Sequence, residues 1–391
     1  MKVQGFFKDV GGAGRVTERR RQNIANAGTN IIRRDPINEV ALALHPGTIK
    51  LKVAKICEVS PTAKTFRFVA QDGHLPVFQA GQYMSLNFKI GDTVTTRPYS
   101  ISSAPFETRG KNSFFEITVR AKGDTFVPEY LFHDVQVGTE FTGSLPHGQF
   151  YYEPLRDAKH VVALAGGSGI TPFYSMAREI AYGKPDCDLK IVYGSAKSDD
   201  IILKDALEGL NCPRVQVIHV LSDEQDWQGE KGFLTRAIIK KYSADDTSYF
   251  ICGPQVMYRF VEKELEALKI PRRRIRREVF GVSRSIASFP GFPQESVGKT
   301  YSIIVVRGIH EDVISAKAEE PVAVAIERAG IKVDTKCRSG ECGFCRSQLL
   351  FGNVFVCPDG DGRRLMDREL GFIHPCSAYP TSDLKIKIPI L

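Results

Sequence analysis

Short segments of alternating apolar and polar residues fill the chain from about Ile49 to Tyr152. Examples are IKLKVAKICEVS, TAKTFRFVA, QYMSLNFKI and SFFEITVRA, and glycine or proline separates them. Alternation with a period of two is typical of strands that bury one face. Several such strands in roughly 100 residues indicate an antiparallel β-barrel, which we place at residues 47–155.

The pattern changes at His160, where apolar strands begin to alternate with helical segments. The strands HVVALAG, DLKIVYG, VQVIHVLS and SYFICG are followed in turn by TPFYSMAREIAYG, ILKDALEGL, FLTRAIIKKY and QVMYRFVEKELEAL. Strands that alternate with helices predict an α/β unit with a doubly wound parallel sheet, which we place at residues 156–281.

Three further regions complete the predicted organisation. Residues 282–298 are rich in serine, proline and glycine, which predicts an interdomain linker. Residues 299–391 open with the strand YSIIVVRG and the helix EPVAVAIERAG, and hold five of the nine cysteines, as expected for a small α+β domain. Residues 1–46 carry eight Lys and Arg against four Asp and Glu. We interpret them as a basic extension with solvated charges, with a docking element as the alternative.

Composition narrows the class of protein. Hydrophobic residues make up 42% and charged residues 25%, which is ordinary for a globular protein. No apolar run is long enough to span a membrane, and the first residues lack the apolar core of a secretory signal, so we expect a cytoplasmic protein with reduced thiols. The net charge of +8 could suit an acidic partner but is not diagnostic, because the basic residues are spread along the chain, and we expect no nucleic-acid partner.

The clustered cysteines predict a metal centre. Cys337, Cys342 and Cys345 have the spacing C-x4-C-x2-C, and Cys376 follows 31 residues after Cys345. That spacing is typical of plant-type [2Fe–2S] sites, whereas structural zinc sites favour paired short spacings. The region from Thr300 to Leu391 resembles plant-type ferredoxins, which implies an α+β domain with the β-grasp fold. The tail CSAYPTSD is similar to that family's closing motif, which implies that Cys376 is the fourth ligand and Cys357 a core residue.

The segment Arg97-Pro98-Tyr99-Ser100 has the residue types that a flavin requires. A cation can meet the phosphate, an aromatic ring can cover the flavin ring, and a hydroxyl can donate near N5, all from one strand. Four residues alone also fit an ordinary β-turn. Together with AGQYMSL upstream, however, the segment is similar to the flavin barrel of the ferredoxin–NADP reductase family.

That resemblance implies where the flavin pyrophosphate binds. The family carries a serine at a helix start, whereas the matching stretch here, GDTFVPEYL, has Pro128 at that position. We expect Thr125 and backbone amides to serve instead. The segment LPHGQF resembles the FAD-type sequence and favours FAD, and FMN is the alternative.

The turn between the first strand and first helix of the parallel sheet predicts a dinucleotide site. Glycines allow a tight turn and close approach to a pyrophosphate, and the helix N-terminus favours negative charge. The candidate residues are Gly166, Gly167, Ser168, Gly169, Thr171 and Pro172. Lys197 could bind a 2′-phosphate, but Asp199 and Asp200 oppose one, so we expect NADH, with NADPH as the alternative.

The reductase resemblance also implies residues at the hydride-transfer site. Cys252 would lie beside the nicotinamide and Glu278 near the flavin edge, so that Ser100, Cys252 and Glu278 are the candidate catalytic residues. Gly253, Pro254 and Phe280 would contact the cofactors. Without the resemblance, Cys252 would be a core residue and Glu278 part of a plain edge strand.

The barrel, the nucleotide sheet and the ferredoxin-like unit together resemble one group of the ferredoxin reductase family, over all but the N-terminal extension. Members pass hydride from NAD(P)H to a flavin, and then single electrons through a [2Fe–2S] cluster to a partner protein, such as an oxygenase or a hybrid-cluster protein. Two alternatives stay open. The chain could be an electron-wiring subunit of a larger complex, or a direct flavin reductase of a quinone or other small acceptor.

Overall fold

The computed structural model describes residues 6–26, 37, 39–40, 47–72, 75–123, 125–282 and 286–389. Two compact units divide the chain after Gly47. In the first unit, helix α1 (Phe6–Ala25) leaves most side chains from residue 11 onwards exposed. The sequence analysis predicted the basic charge of this region but not the helix, because its three glycines, Gly11, Gly12 and Gly14, lower helix propensity.

The predicted antiparallel barrel is confirmed. Its six strands have the order β4-β3-β6-β1-β2-β5, and an isolated bridge between Ile101 and Ile117 joins the two edges. Alternate residues such as Leu51, Phe66 and Phe68 fill the interior. The strands are β1 (Thr48–Ser60), β2 (Ala63–Ala70), β3 (Tyr83–Ile90), β4 (Thr93–Ser100), β5 (Phe115–Arg120) and β6 (Glu140–Ser144), and helix α2 (Phe126–His133) contacts β5.

The predicted parallel sheet is also confirmed, in the order β10-β9-β8-β7-β11-β12. Strand β7 is apolar on both faces because Val161 and Ala163 join one core cluster while Val162 and Leu164 join the other. The strands are β7 (His160–Gly166), β8 (Asp188–Ser195), β9 (Val215–Leu221), β10 (Glu230–Lys231), β11 (Thr247–Cys252) and β12 (Ile275–Arg277). The helices are α3 (Thr171–Tyr182), α4 (Lys204–Glu208), α5 (Arg236–Tyr242) and α6 (Gln255–Ala267). Beside β7 the strand order reverses, and open sheets bind ligands at such a point.

The third sheet belongs to the cysteine-rich region and has the order β14-β13-β19-β15-β17, with β13 and β19 parallel. Its core packs Ile303 and Ile386 against Ile326. The elements are β13 (Thr300–Arg307), β14 (His310–Lys317), α7 (Val322–Arg328), β15 (Ser347–Phe351), β16 (Val354–Val356), α8 (Leu365–Glu369), β17 (Phe372–Ile373), β18 (Ala378–Pro380) and β19 (Leu384–Lys387). This mixed sheet with its helix is the predicted β-grasp arrangement.

The predicted linker is only partly an extended connection. Within it, Ile286 and Phe292 are buried against Cys357 and Tyr379 of the ferredoxin-like region. The domain boundaries drawn from the sequence remain predictions. Among the described residues, none of the helices has the length and apolar character needed to cross a membrane.

Candidate active site

A cavity of about 730 Å³ lies between the barrel and the carboxyl edge of the parallel sheet. This volume is within the range of sites that bind cofactors. Sequence-predicted residues from four distant segments line it: Pro98, Tyr99, Ser100, Ser168, Gly169, Thr171, Cys252, Gly253, Pro254 and Phe280. The fold therefore brings the two predicted cofactor segments and the predicted hydride-transfer segment to one place.

Ser100 and Glu278 form a hydrogen-bonded pair beside this cavity. The Ser100 hydroxyl donates to Oε2 of Glu278 over 3.1 Å, and both side chains are buried. Burial raises the pKa of Glu278 well above that of an ordinary carboxyl group, while the Ser100 hydrogen bond partly opposes this shift. The pair can therefore hold a proton close to the cavity.

Cys252 ends β11 at the same cavity. Burial, and secondarily the charge of Glu278, raises the pKa of its thiol well above the usual value, so the thiol stays protonated. Tyr258, which the sequence analysis did not identify, holds this strand end: its hydroxyl accepts from the Gly253 amide over 3.1 Å and donates to the Glu278 carbonyl. An uncharged thiol on a fixed strand end can pack against a planar ring.

The predicted glycine turn fits closely against that strand end. A Cβ at Gly169 would lie 2.1 Å from the Cys252 carbonyl oxygen, and one at Gly166 would lie 2.5 Å from Sδ of Met257. Gly167 has φ +52°, in the left-handed region that favours glycine. Pro172 is in the first turn of α3, where its missing N–H leaves no helical bond unmade. These residues shape a turn that a pyrophosphate can approach.

Thr125 occupies the position at which the sequence predicted a pyrophosphate contact. It precedes α2 as its N-cap residue, and its Oγ1 is buried with no hydrogen-bond partner. Pro128, the departure from the family pattern, lines the cavity. A buried hydroxyl without a hydrogen-bond partner at a helix N-terminus can bind an anionic group, and the predicted ligand of Thr125, a pyrophosphate, is such a group.

Arg97 and Lys197 do not line the cavity. The Arg97 guanidinium donates to Thr95 and to the Thr96 carbonyl, and lies 3.6 Å from a carboxylate oxygen of Glu327. Burial, followed by the positive charge of Arg338, lowers the pKa of Arg97 to about 10. A partly buried cation whose counter-ion is 3.6 Å away remains able to bind a phosphate, so the predicted role of Arg97 stays a prediction.

Lys197 is exposed on the turn after β8, and the acidic residues near it have different partners. Asp200 faces the barrel, where it pairs with Arg120, a cavity-lining residue that the sequence analysis missed. Glu224 accepts hydrogen bonds from the amide and hydroxyl of Ser198, over 2.7 and 2.9 Å. Glu224 therefore adds negative charge at this turn to that of the exposed Asp199, whereas Asp200 is paired with Arg120.

The four predicted metal ligands lie in two pairs. Sγ of Cys337 is 3.1 Å from Sγ of Cys342, and Sγ of Cys345 is 3.4 Å from Sγ of Cys376. Both separations are far too long for a disulfide bond. Cys357 instead packs in an apolar cluster with Tyr379. Two pairs of thiols suit a two-iron cluster, in which each iron takes two protein ligands.

The loop around these cysteines is arranged to hold thiolates. The amides of Ser339 and Cys342 point at Sγ of Cys337 over 3.5 and 3.4 Å. The Cys342 contact and these amides lower the pKa of the Cys337 thiol, and a thiolate is the form that binds metal. Gly340, at φ +85°, has no room for a Cβ, which would lie 2.0 Å from the Gly360 carbonyl oxygen. Among the described residues, no group of three or more potential ligands converges on one point.

Tyr83 connects the cavity with the cysteine loop. Its ring contacts Phe280 edge-on, with the centroids 5.2 Å apart. Burial raises its pKa, and the nearby Cys342 and Cys337 raise it further. The phenol ring thus lies close to both the cavity wall and one cysteine pair. Tyr83 lies inside the motif AGQYMSL, which could have indicated its importance, but the sequence analysis assigned no role to this residue.

Comparison with known families matches each of the three parts of the chain. An oxidoreductase FAD-binding domain matches residues 50–152, an oxidoreductase NAD-binding domain matches 163–263, and a 2Fe-2S iron-sulfur cluster binding domain matches 307–381. The chain is a ferredoxin reductase-like flavoprotein with a C-terminal [2Fe–2S] domain. The predicted cofactors, FAD, an NAD nucleotide and a [2Fe–2S] cluster, are confirmed by these matches, as is the oxidoreductase class.

Two relatives match this flavoprotein over nearly the whole of their own length. It is 27% identical to the glycine betaine monooxygenase reductase subunit of Chromohalobacter salexigens, over 87% of this chain and 95% of the relative. It is also 27% identical to the NADH oxidoreductase HCR of Escherichia coli, over 86% and 96% of the two chains. The fold matches phthalate dioxygenase reductase with a TM-score of 0.65 and 22% identity, covering 88% of this chain and 98% of that one.

Proposed function

We propose that this flavoprotein accepts a hydride from NADH at the cavity and delivers single electrons, through its [2Fe–2S] domain, to a partner protein such as an oxygenase. The observation that carries the proposal is a contact between the cysteine loop and the wall of the cavity in which Ser100 and Cys252 meet: the Gly281 amide, next to the lining residue Phe280, donates to the Cys337 carbonyl over 3.4 Å. The names of full-length relatives as monooxygenase reductase subunits support a protein acceptor.

The residues of the cavity have separable roles in this proposal. When bound, FAD supplies the exchange between two-electron and one-electron chemistry, and the cluster supplies one-electron transfer. Tyr99 and Pro98 provide a wall for a planar ring, and Thr125 offers a hydroxyl to a phosphate. The protonated Cys252 thiol packs against the nicotinamide and excludes water. Glu278 can hold a proton while its Oε2 accepts the hydrogen bond from the Ser100 hydroxyl.

Each cysteine pair would hold one iron. Cys337 and Cys342 belong to one pair and Cys345 and Cys376 to the other, and the amides of the loop point toward the sulfur of Cys337. Hydrogen bonds to cluster sulfurs stabilise the more negative, reduced state. We also place the protein in the cytoplasm, where such thiols stay reduced until iron binds.

The variant Cys337→Ser tests the proposal. It replaces a soft thiolate with a hydroxyl, which holds iron poorly, so iron should be lost while FAD is retained. Mixed with NADH without oxygen, the variant should still bleach its flavin absorbance, yet reduce cytochrome c far more slowly than the wild type. Cys357→Ser is the matched control and should keep both iron and cytochrome c reduction.

A different result would favour the direct-reductase alternative. If Cys337→Ser contains no iron and still reduces cytochrome c at the wild-type rate, the electrons leave from the flavin and the proposal is wrong. The subunit alternative is tested by gel filtration together with activity: a chain that is active only after other subunits are added would be a wiring module.

A further inference from the structure

A buried carboxylate, Glu327, lies at the boundary between the cysteine loop and the barrel. It is in the last turn of α7 and only 1% exposed. The Arg338 guanidinium binds it in a bidentate manner, with Nη1 2.6 Å from Oε1 and Nη2 2.8 Å from Oε2. Arg338 directly follows the ligand Cys337, so this ion pair fixes the cysteine loop to α7.

The same carboxylate also contacts the strand that leads into the flavin segment. The Thr95 hydroxyl donates to Oε2 of Glu327 over 2.8 Å. In addition, Nη1 of Arg338 donates to the Thr96 carbonyl over 3.1 Å. Both threonines belong to β4, immediately before Arg97. A single buried group therefore joins the cysteine loop, α7 and the flavin strand.

The buried ion pair between Arg338 and Glu327 opposes movement of the cysteine loop. Arg338 is 7% exposed, and a buried charge that loses its partner is strongly destabilised. Arg338 also has φ +56°, an uncommon conformation for a residue other than glycine, so its backbone is held in place by its surroundings. The loop cannot move away from β4 unless the contact of Arg338 with Thr96 breaks and, in addition, either Arg338 leaves Glu327 or Glu327 loses its contact with Thr95.

We propose that Glu327 and Arg338 are positioning residues that hold the cysteine loop against the flavin strand and thereby set the rate of electron transfer between the two redox sites. The proposal rests on the proposed function, because it concerns a step within it. Electron transfer slows steeply as the separation of donor and acceptor grows, so a small displacement of the loop has a large effect on rate.

Glu327→Gln tests this role, because it keeps the size of the side chain and removes its charge. After mixing with NADH, flavin bleaching should proceed at the wild-type rate, whereas reduction of the cluster should slow about tenfold or more, as is typical when groups supporting a metal site are lost. Thr95→Val is the milder variant. It removes two hydrogen bonds on the barrel side, the one that the Thr95 hydroxyl donates to Glu327 and the one that it accepts from Arg97, and should slow the same step even if Glu327→Gln folds poorly.

Two measurements that do not depend on turnover accompany the rates. Hydrogen–deuterium exchange should rise together in residues 93–100 and 337–345 of the variants, because one contact holds both segments. The EPR spectrum of the dithionite-reduced protein should show an intact cluster. Glu320→Gln is the matched control: it removes the pair between Glu320 and Arg328, 2.9 Å apart, at the surface of the same domain. It should change neither the exchange of these segments nor the rates.

The outcomes separate this proposal from the proposed function. If NADH reduces the wild-type cluster and Glu327→Gln and Thr95→Val leave that rate unchanged, the positioning role is wrong and the proposed function stands. Exchange that rises without any slowing of cluster reduction would likewise overturn it, since the contact would then be structural only. If NADH does not reduce the wild-type cluster at all, the proposed function fails and the positioning role fails with it.

Discussion

Replacing Gly169 with alanine should displace the predicted hydride-transfer site without disturbing the rest of the protein. The new Cβ would lie 2.1 Å from the Cys252 carbonyl oxygen and 2.6 Å from the Gly253 amide nitrogen. Ordinary contacts begin at 3.4 Å, so one of the two backbones must move by about 1 Å or more. Because both neighbours are backbone atoms, no side chain can rotate away to relieve the contact.

The expected effect is large because the displaced segment carries Cys252. A misplacement of about 1 Å between reacting groups can cost about 100-fold in rate. We therefore expect flavin bleaching by NADH, measured by stopped-flow absorbance without oxygen, to slow by about that factor. FAD and iron contents should equal those of the wild type, because the three atoms nearest to the new Cβ all belong to Cys252 and Gly253 and not to the barrel or the cysteine loop.

Gly194→Ala is the matched control. Gly194 is in β8, beside β7, and a Cβ there would lie 3.6 Å from the Ala165 carbonyl oxygen, an ordinary contact. This variant should bleach at the wild-type rate. If Gly169→Ala bleaches as fast as the control, hydride transfer does not depend on how the Gly169 turn and the Cys252 backbone are placed, and the assignment of this site would be refuted.

The remaining predictions concern charge. Arg97→Ala should weaken FAD binding about tenfold or more, measured by titration of the flavin-free protein, and an unchanged affinity would remove Arg97 from the site. Residues 299–391 carry 13 Lys and Arg against 12 Asp and Glu, so partner reduction should depend weakly on salt; a steep loss of rate would contradict this. The raised pKa of Glu278 makes the folded state retain a proton that the unfolded state releases. Stability should therefore fall as pH rises above the usual carboxyl range, and Glu278→Gln should reduce that slope in denaturant titrations.

The strands and the cysteine cluster could be predicted from the sequence, because each depends on residues close together in the chain. The alternation in TAKTFRFVA predicted β2 because one face of that strand is buried, and the apolar run HVVALAG predicted β7 because helices cover both of its faces. The cysteine spacing succeeded for a similar reason, since three of the ligands come from one short loop. In each case the residues that decide the structure are close together in the chain.

Contacts between residues that are far apart in the chain could not be predicted from the sequence. The sequence interpretation assigned Arg97, Tyr99 and Ser100 to one flavin site because they share a strand. Tyr99 and Ser100 do line the cavity, whereas the Arg97 guanidinium lies against Glu327, a residue 230 positions away in another domain. The periodicity of a strand determines the face of the sheet on which a side chain lies. For a long side chain such as Arg97, however, the position of the charged group also depends on a buried charge in a neighbouring domain, here Glu327.

The burial of Arg338 is a second feature that depends on distant segments and could not be predicted from the sequence. Inside the motif CRSGECGFC it occupies a spacer position, and a spacer between ligands is ordinarily taken as a solvent-facing residue. The structure instead buries it with a carboxylate from α7 and a carbonyl from β4. Burying an ion pair is weak evidence for stability, since apolar residues of similar volume often stabilise a protein as well or better. An ion pair retained beside a metal ligand, with its partners drawn from two other elements, is better explained by the geometry that it imposes: it makes one orientation of the cysteine loop against the flavin strand far more favourable than any other.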